Sequence, residues 1–501
     1  MSRSLKLILI VAGGLAGLLV LVAAVAAYIL RQDAKPRLEA MASQALEMDV
    51  RVDGAFSVGF FPRLHVALRD VHAGRLDAEI ASADEVQVEI ALLPLLHKEV
   101  RIRSIGLHGL RLAVERDRDG KLNVSRSPQA DVERQPLAVV RVSVSDGSLH
   151  YLNRQSGKEL EATGCNLDVS RMGLSSGPDP GLLKDLSLAA KLACGRIKTT
   201  EFAASDLRIS VDGEDGIFDL EPVTMVLFGG QGSGKLRADY TGPVPVYQLD
   251  YRLEKFRLDD FFRFLSPANA GRKNLGEGAM DFTTKLSLRG RFIDELKPSA
   301  AGEASLHGEN LMLEIGDLDR KFSRYETSQS FNLVDMGAFF FAGPLALGVT
   351  KGYDFARIFE GGEGSTAVRV LVSRWRVEHG VAHATDVAMA TAKNRVALKG
   401  RLNFVTARFE DVTMALIDNH GCARAKQKIR GPFSQPEVEK PDVLRTLTGP
   451  ARALAQEAKD LFGGKCDVFY AGSVEPPDES GQRLIASKAM MTTATRPRAI
   501  C

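Results

Sequence analysis

Residues 83–92 read ADEVQVEIAL, and that short run decides the fold class. Val86, Val88, Ile90 and Leu92 alternate with Glu85, Gln87 and Glu89. Side chains of a β-strand point to opposite faces at every step, so this run is a strand with one apolar and one polar face. The same period of two returns at Val50, Val52, Phe56 and Val58, where Gly54 marks a turn or bulge, and at Val140, Val142 and Val144. It appears again at Val223, Met225 and Leu227, at Leu311, Leu313 and Ile315, and at Val368, Val370 and Val372. Turn signals are read between such runs at Asp119-Gly120, Asp146-Gly147, Asp212-Gly213 and Thr241-Gly242-Pro243. There is no alternating strand–helix rhythm, which disfavours a doubly wound enzyme fold. The expectation is a mainly β chain with an antiparallel sheet.

The rest of the chain is organised around those strands. Residues 7–30 carry no charge, a run long enough to cross a bilayer as a helix. Ala24-Val25-Ala26 also fits the cleavage site of a signal peptide, but the run is longer than a typical signal core, which favours an uncleaved anchor. Pro36, Leu38, Met41, Ala42, Ala45 and Leu46 predict a short helix after it. Residues 125–136, SRSPQADVERQP, read as a linker. Leu258, Phe261, Phe262 and Leu265 predict one short helix. Leu444, Leu447, Leu454, Ala458 and Leu461 predict another, broken at Gly449-Pro450 and stopped at Gly463-Gly464. The division expected is an anchor at 1–30, β regions at 31–124, 137–300 and 301–475, the linker between the first two, and a flexible tail at 476–501.

Composition narrows the function. Of 501 residues, 45% are apolar and 26% charged, enough to build a core. Lys plus Arg is 65 against 63 acids, and two of those bases, Arg3 and Lys6, precede the apolar run. The body is therefore neutral, which argues against nucleic acid as a partner. Gly229 to Lys235 has the glycine and lysine spacing of a phosphate loop, but Leu236 stands where Ser or Thr would hold magnesium, and the following LRADY alternates like a strand. His379 and His383 could ligate zinc on a helix, yet Gly380 and the surrounding alternation predict a turn and strand that hold them apart. Asp259-Asp260 read as a helix start, and Trp375 between two arginines as a half-buried anchor. With no nucleophile elbow either, no catalytic or metal-binding residue is assigned, no cofactor is expected, and the chain is read as a non-enzyme.

Alternation alone leaves two architectures open, ordinary sandwiches or one long sheet with an apolar groove, and the sandwich is the commoner. A resemblance shifts the balance. The series Lys35-Pro36-Arg37-Leu38-Glu39, Asp53-Gly54, Phe60-Phe61-Pro62, Val66 to Val71, Ala83 to Val86, Leu92-Leu93-Pro94 and Ile105-Gly106-Leu107 resembles the N-terminal region of the AsmA family. Later pieces, Asn332 to Asp335, Gly343-Pro344 and Gly431 to Pro436, are similar to the same family.

The resemblance implies an elongated periplasmic sheet curled into an apolar trough and anchored in the bacterial inner membrane. It implies phospholipid as cargo, with transfer toward the outer membrane, and other envelope proteins as partners. The alternative is an assembly factor for outer-membrane proteins that carries no lipid. Groove-wall candidates are Val50, Val52, Val86, Val88, Ile90, Val140 and Val142. The periplasm permits disulfides. Cys422 with Cys466, and Cys165 with Cys194, are the candidate pairs, with buried free thiols the competing reading and Cys501 left over.

Overall fold

The computed structural model describes residues 35–36, 39–40, 42–44, 48–59, 64–75, 78–91, 102–124, 141–174, 183–184, 186–200, 202–265, 275–314, 316–322, 364–433, 435–439 and 466–477. The apolar run 7–30, the linker 125–136, the helix expected over 444–461 and nearly all of the tail lie outside them. Among the described residues no helix is long and apolar enough to cross a membrane. The described chain is mainly β, with 22 strands and a few short helices. It forms two compact units, residues 1–218 and 219–501.

The first unit contains β1 (Asp49–Val52), β2 (Phe56–Gly59), β3 (His65–Arg75), β4 (Ala78–Ile90), β5 (Ile102–His108), β6 (Arg111–Arg116), β7 (Arg141–Asn153), β8 (Lys158–Leu174), β9 (Leu186–Thr199) and β10 (Ala203–Glu214). Strands β1 and β2 run end to end against β3, with Gly54 between them. A Cβ on Gly54 would stand 2.7 Å from the Arg69 carbonyl oxygen, so only glycine lets the two backbones approach there. Strands β5 and β6 repeat the arrangement. They meet at Gly109, whose φ is +62°, and lie along β4 on one side.

On their other side both pair with β7, and this pairing is parallel. The sheet is therefore mixed, where a purely antiparallel one was expected. The reason lies in the linker. Parallel neighbours need a long crossover rather than a hairpin, and the stretch read as a spacer, residues 125–136, sits within that crossover between β6 and β7. The expected turn at Asp146-Gly147 is likewise an irregularity inside β7. Asp146 takes φ +52°, and the register with β8 slips between Val144 and Leu149. The slip faces the β5–β6 junction, where Gly109 N–H donates to Ser145 O and Ser148 N–H to Leu110 O. Asp212-Gly213 is also strand, within β10; the chain turns at Asp215-Gly216, where both φ values are positive.

The second unit continues with β11 (Ile217–Leu227), β12 (Gly230–Asp239), β13 (Val246–Arg257), α1 (Leu258–Leu265), β14 (Gly276–Glu277), β15 (Ala279–Arg289), α2 (Ile293–Ser299), β16 (Ala301–Leu313), β17 (Thr366–Glu378), β18 (Val381–Thr391), β19 (Arg395–Asn403), β20 (Arg408–Ile417), β21 (Ala423–Pro432) and β22 (Glu437–Val438). From β15 to β22 consecutive strands pair antiparallel. One face carries a continuous core from Leu253 to Phe433, into which α1 inserts Leu258, Phe261 and Phe262. Leu306, Leu371, Leu402 and Met414 there have almost no exposure. Each such side chain stabilises the fold by about 1.5–3 kcal/mol. Trp375 belongs to this core and donates from its indole N–H to Ser373 Oγ at 2.8 Å, so it is fully buried, not half-buried. The helix predicted over 258–265 is present, with Asp259 and Asp260 in its first turn and Arg263 in its last.

The opposite face of β17–β21 is covered over part of its area. Residues 466–477 lie across it like a strap, burying Phe469, Tyr470 and Val474 against Val372, Ala388, Ala390, Ala397, Ala415 and Ile417. The covered positions are mostly alanine because the strap backbone and rings need the room that larger side chains would occupy.

Candidate functional site

The first unit differs from the second in how it treats its apolar face. Register partners place Phe56, Leu68, Val86, Leu107, Val144, Leu167, Leu192 and Ile209 in one row across eight strands. Two residues along, Val58, Val66, Val88, Ile105, Val142, Val169, Ala190 and Val211 form a second row. Both rows are apolar at every position. All sixteen side chains are half-buried except Val169, which is 8% exposed. The positions between them, Ser57, Ala67, Gln87, Gly106, Ser143, Asp168, Lys191 and Ser210, point to the other face and are mostly polar.

The band's size follows from sheet geometry. Eight strands at about 4.8 Å spacing span roughly 34 Å, and positions two apart lie about 6.7 Å from each other. That is a strip about one hydrocarbon chain wide. It is more than twice the roughly 15 Å that the chains of one leaflet cover. No charged side chain belongs to either row. Charges on this unit are matched in exposed pairs, such as Arg69 with Glu85 at 3.4 Å and Arg111 with Asp84 at 2.7 Å. Arg154 pairs with Glu115 across β6–β7, and its hydrogen bond holds the Glu115 carboxyl below the usual range.

Of the residues expected to line a groove, Val86, Val88 and Val142 stand in these rows. Ile90 pairs with Ile102 at the strand end, where Ile102 is 43% exposed. Val50 and Val52 lie elsewhere, buried on β1, with their backbone N–H groups bonded to Ser43 Oγ and Glu39 Oε1. Val140 lies outside the described residues. Leu68, Leu107, Leu167 and Leu192 are not among the groove residues expected from the sequence. Leu186, Leu188, Ala190 and Leu192 do alternate there, and that period was the available signal.

The cysteines pair as Cys165 with Cys194 and Cys422 with Cys466. The first two are register partners on β8 and β9 with Cα atoms 4.0 Å apart; the second two are 6.1 Å apart and fasten the strap to the residue just before β21. The phosphate-loop look-alike is a turn followed by β12, with Gly229 at φ +75°, so no helix N-terminus faces an anion. His379 sits in a turn and His383 on β18, opposite Arg376 and Arg401. No cluster of metal-ligating side chains occurs among the described residues.

The strap is held to the sheet by ionisable groups. Asp386 accepts from Tyr470 Oη at 2.5 Å and from Ser473 Oγ at 2.6 Å, and pairs with Arg374 at 3.2 Å. Burial works against its charge, but the Ser473 and Tyr470 hydrogen bonds outweigh it and hold the carboxyl below the usual range. Burial and the bond to Asp386 push the Tyr470 hydroxyl up. Arg395 donates to the carbonyl oxygens of Val474 and Asp418.

A β-sheet protein with a half-open apolar face is the class these features define, and the sequence comparison adds to it. The AsmA family model matches residues 1–180 of the chain. The match contains β1–β8 and does not reach the later pieces such as Gly431 to Pro436. No curated protein matches the chain.

Proposed function

We propose that this is a membrane-anchored periplasmic protein whose apolar band receives phospholipid acyl chains and passes them toward the outer membrane. The observation that carries the reading is the pair of apolar rows, unbroken across eight strands and half-open at nearly every position. An acyl chain in water costs about 0.8 kcal/mol for each exposed CH₂. An apolar side chain at every strand of both rows offsets that cost at each step, so a chain can move along them without meeting a deep well. The polar reverse face keeps the sheet solvated. The uncharged run 7–30 supplies the inner-membrane anchor, and the family match supports an envelope setting. The chain acts by binding, with no bond made or broken.

The test is site-specific photocrosslinking in the full-length protein in cells. Probes at Leu107, Leu167 and Leu192 are expected to yield phospholipid adducts, and probes at Ser143 and Lys191 on the reverse face none. Equal lipid yield on both faces, or none on either, overturns the reading. Adducts to outer-membrane proteins from the apolar rows would support an assembly factor instead.

A further inference from the structure

Beyond the apolar band, the geometry points to an anion-docking surface on the strap-bearing face of the second unit, formed by Lys399, Lys426 and Lys428 and fitted to the phosphodiesters of an anionic membrane surface. Thr413 on β20 has Lys399 as register partner on β19 and Lys428 on β21, and the neighbouring Ala415 pairs with Lys426. Register partners lie about 5 Å apart, so three ammonium groups share one small patch. Other bases of these strands are held by acids or by strap carbonyl oxygens, as Arg395 is by Val474 O and Arg369 by Pro476 O. Arg374 pairs with Asp386 at 3.2 Å, Arg401 with Asp411 at 3.0 Å and Arg430 with Glu439 at 3.3 Å. Among the described residues the three lysines have no acidic partner.

Instead, Lys399 and Lys426 place their Nζ atoms over the ring of Phe469, at 5.2 and 5.4 Å. Cation–π contacts order these two charges without cancelling them. Holding like charges together is unfavourable, and a bound anion relieves it. The next strap residue, Val468, is 49% exposed, one of few large apolar side chains so placed among the described residues. A basic patch beside an exposed aliphatic side chain suits a lipid interface better than a free phosphate ion. This surface belongs to the second unit, and its case does not rest on the apolar band.

The experiment uses the full-length protein in phosphatidylcholine nanodiscs, mixed with phosphatidylcholine vesicles with or without phosphatidylglycerol. Binding is expected only to the phosphatidylglycerol vesicles, weakening steeply with added salt. The triple variant Lys399→Gln/Lys426→Gln/Lys428→Gln is expected to bind on the order of a hundredfold more weakly, since each lysine near a charged surface contributes several-fold. Lys235→Gln/Lys285→Gln/Lys297→Gln, elsewhere in the unit, controls for net charge, and an intact Cys422–Cys466 disulfide controls for folding. Equal binding to neutral vesicles, unchanged binding by the triple variant, or an equal loss in the control overturns the proposal. So does saturation by millimolar inorganic phosphate with no preference for anionic vesicles, which would mark a free-phosphate site.

Discussion

Ile105 and Val142 are register partners across the seam where the strands of the first unit run parallel, and they keep an apolar row intact between Val88 and Val169. Parallel pairing demands a different chain path from antiparallel pairing, yet the aliphatic side chains still line up. A charge placed at the seam interrupts the row while leaving the ladder hydrogen bonds in place. Val142→Glu should cut co-purifying phospholipid several-fold, whereas Ser143→Glu, one residue along on the reverse face, should leave it unchanged. Lipid mass spectrometry of the purified proteins checks this.

The two units should respond differently to loss of a leucine. Leu306 is 1% exposed in the core of the second unit, and Leu306→Ala should cost about 2–5 kcal/mol. Leu192 is only half-buried. Leu192→Ala recovers part of its exposure and should cost about half as much. Hydrogen exchange on β16 and β9, read by mass spectrometry, separates the two.

The strap depends on its disulfide. Cys422 and Cys466 are 44 residues apart, and closing a loop of that length constrains the unfolded chain by roughly 4 kcal/mol. Cys422→Ser/Cys466→Ser should raise exchange in residues 467–475 without affecting β7–β10. A matching rise in the first unit would contradict the assignment.

Acid should loosen the strap through Asp386. Its carboxyl sits below the ordinary value in the folded state, so the stabilisation is fully present above about pH 4 and falls away as pH drops through the lowered folded value. Asp386→Asn should remove that pH dependence and cost about 1–3 kcal/mol at neutral pH through the weakened Tyr470 and Ser473 bonds. Limited proteolysis of the strap against pH, in both proteins, is the measurement.

The alanines beneath the strap should not tolerate enlargement. Ala397→Leu forces Phe469 and Tyr470 outward at about 1–3 kcal/mol, even though leucine is the more apolar residue. Increased cleavage after Phe469 or Tyr470 would report it.

Much of this architecture is legible in the sequence because a strand writes its two faces as a period of two. Val86, Val88 and Val142 could be placed on an apolar face that way, and the turn-plus-strand reading of Gly229 to Lys235 followed from the residues after it. The parallel seam was not legible. Hydrophobic alternation is the same for parallel and antiparallel neighbours, and only the length of the crossover distinguishes them. Asp146-Gly147 misled for a related reason, since a residue with positive φ serves an irregularity inside a strand as readily as a hairpin. Val50 and Val52 alternate like the other rows, but their burial comes with contacts from Glu39 and Ser43 that no period reveals. The strap was visible only as a cysteine pairing, because Asp386 and Tyr470 are 84 residues apart in sequence.

The crossover has a consequence for how the chain can be divided. Because β6 reaches β7 only by a long excursion, the ten strands of the first unit fall into two covalent halves joined at one stretch, while their union is made by the backbone bonds of β5 and β6 with β7. A peptide bond cut in that stretch would sever the polypeptide while leaving the pairings of β5 and β6 with β7 in place. The two pieces should stay together as a complementing pair.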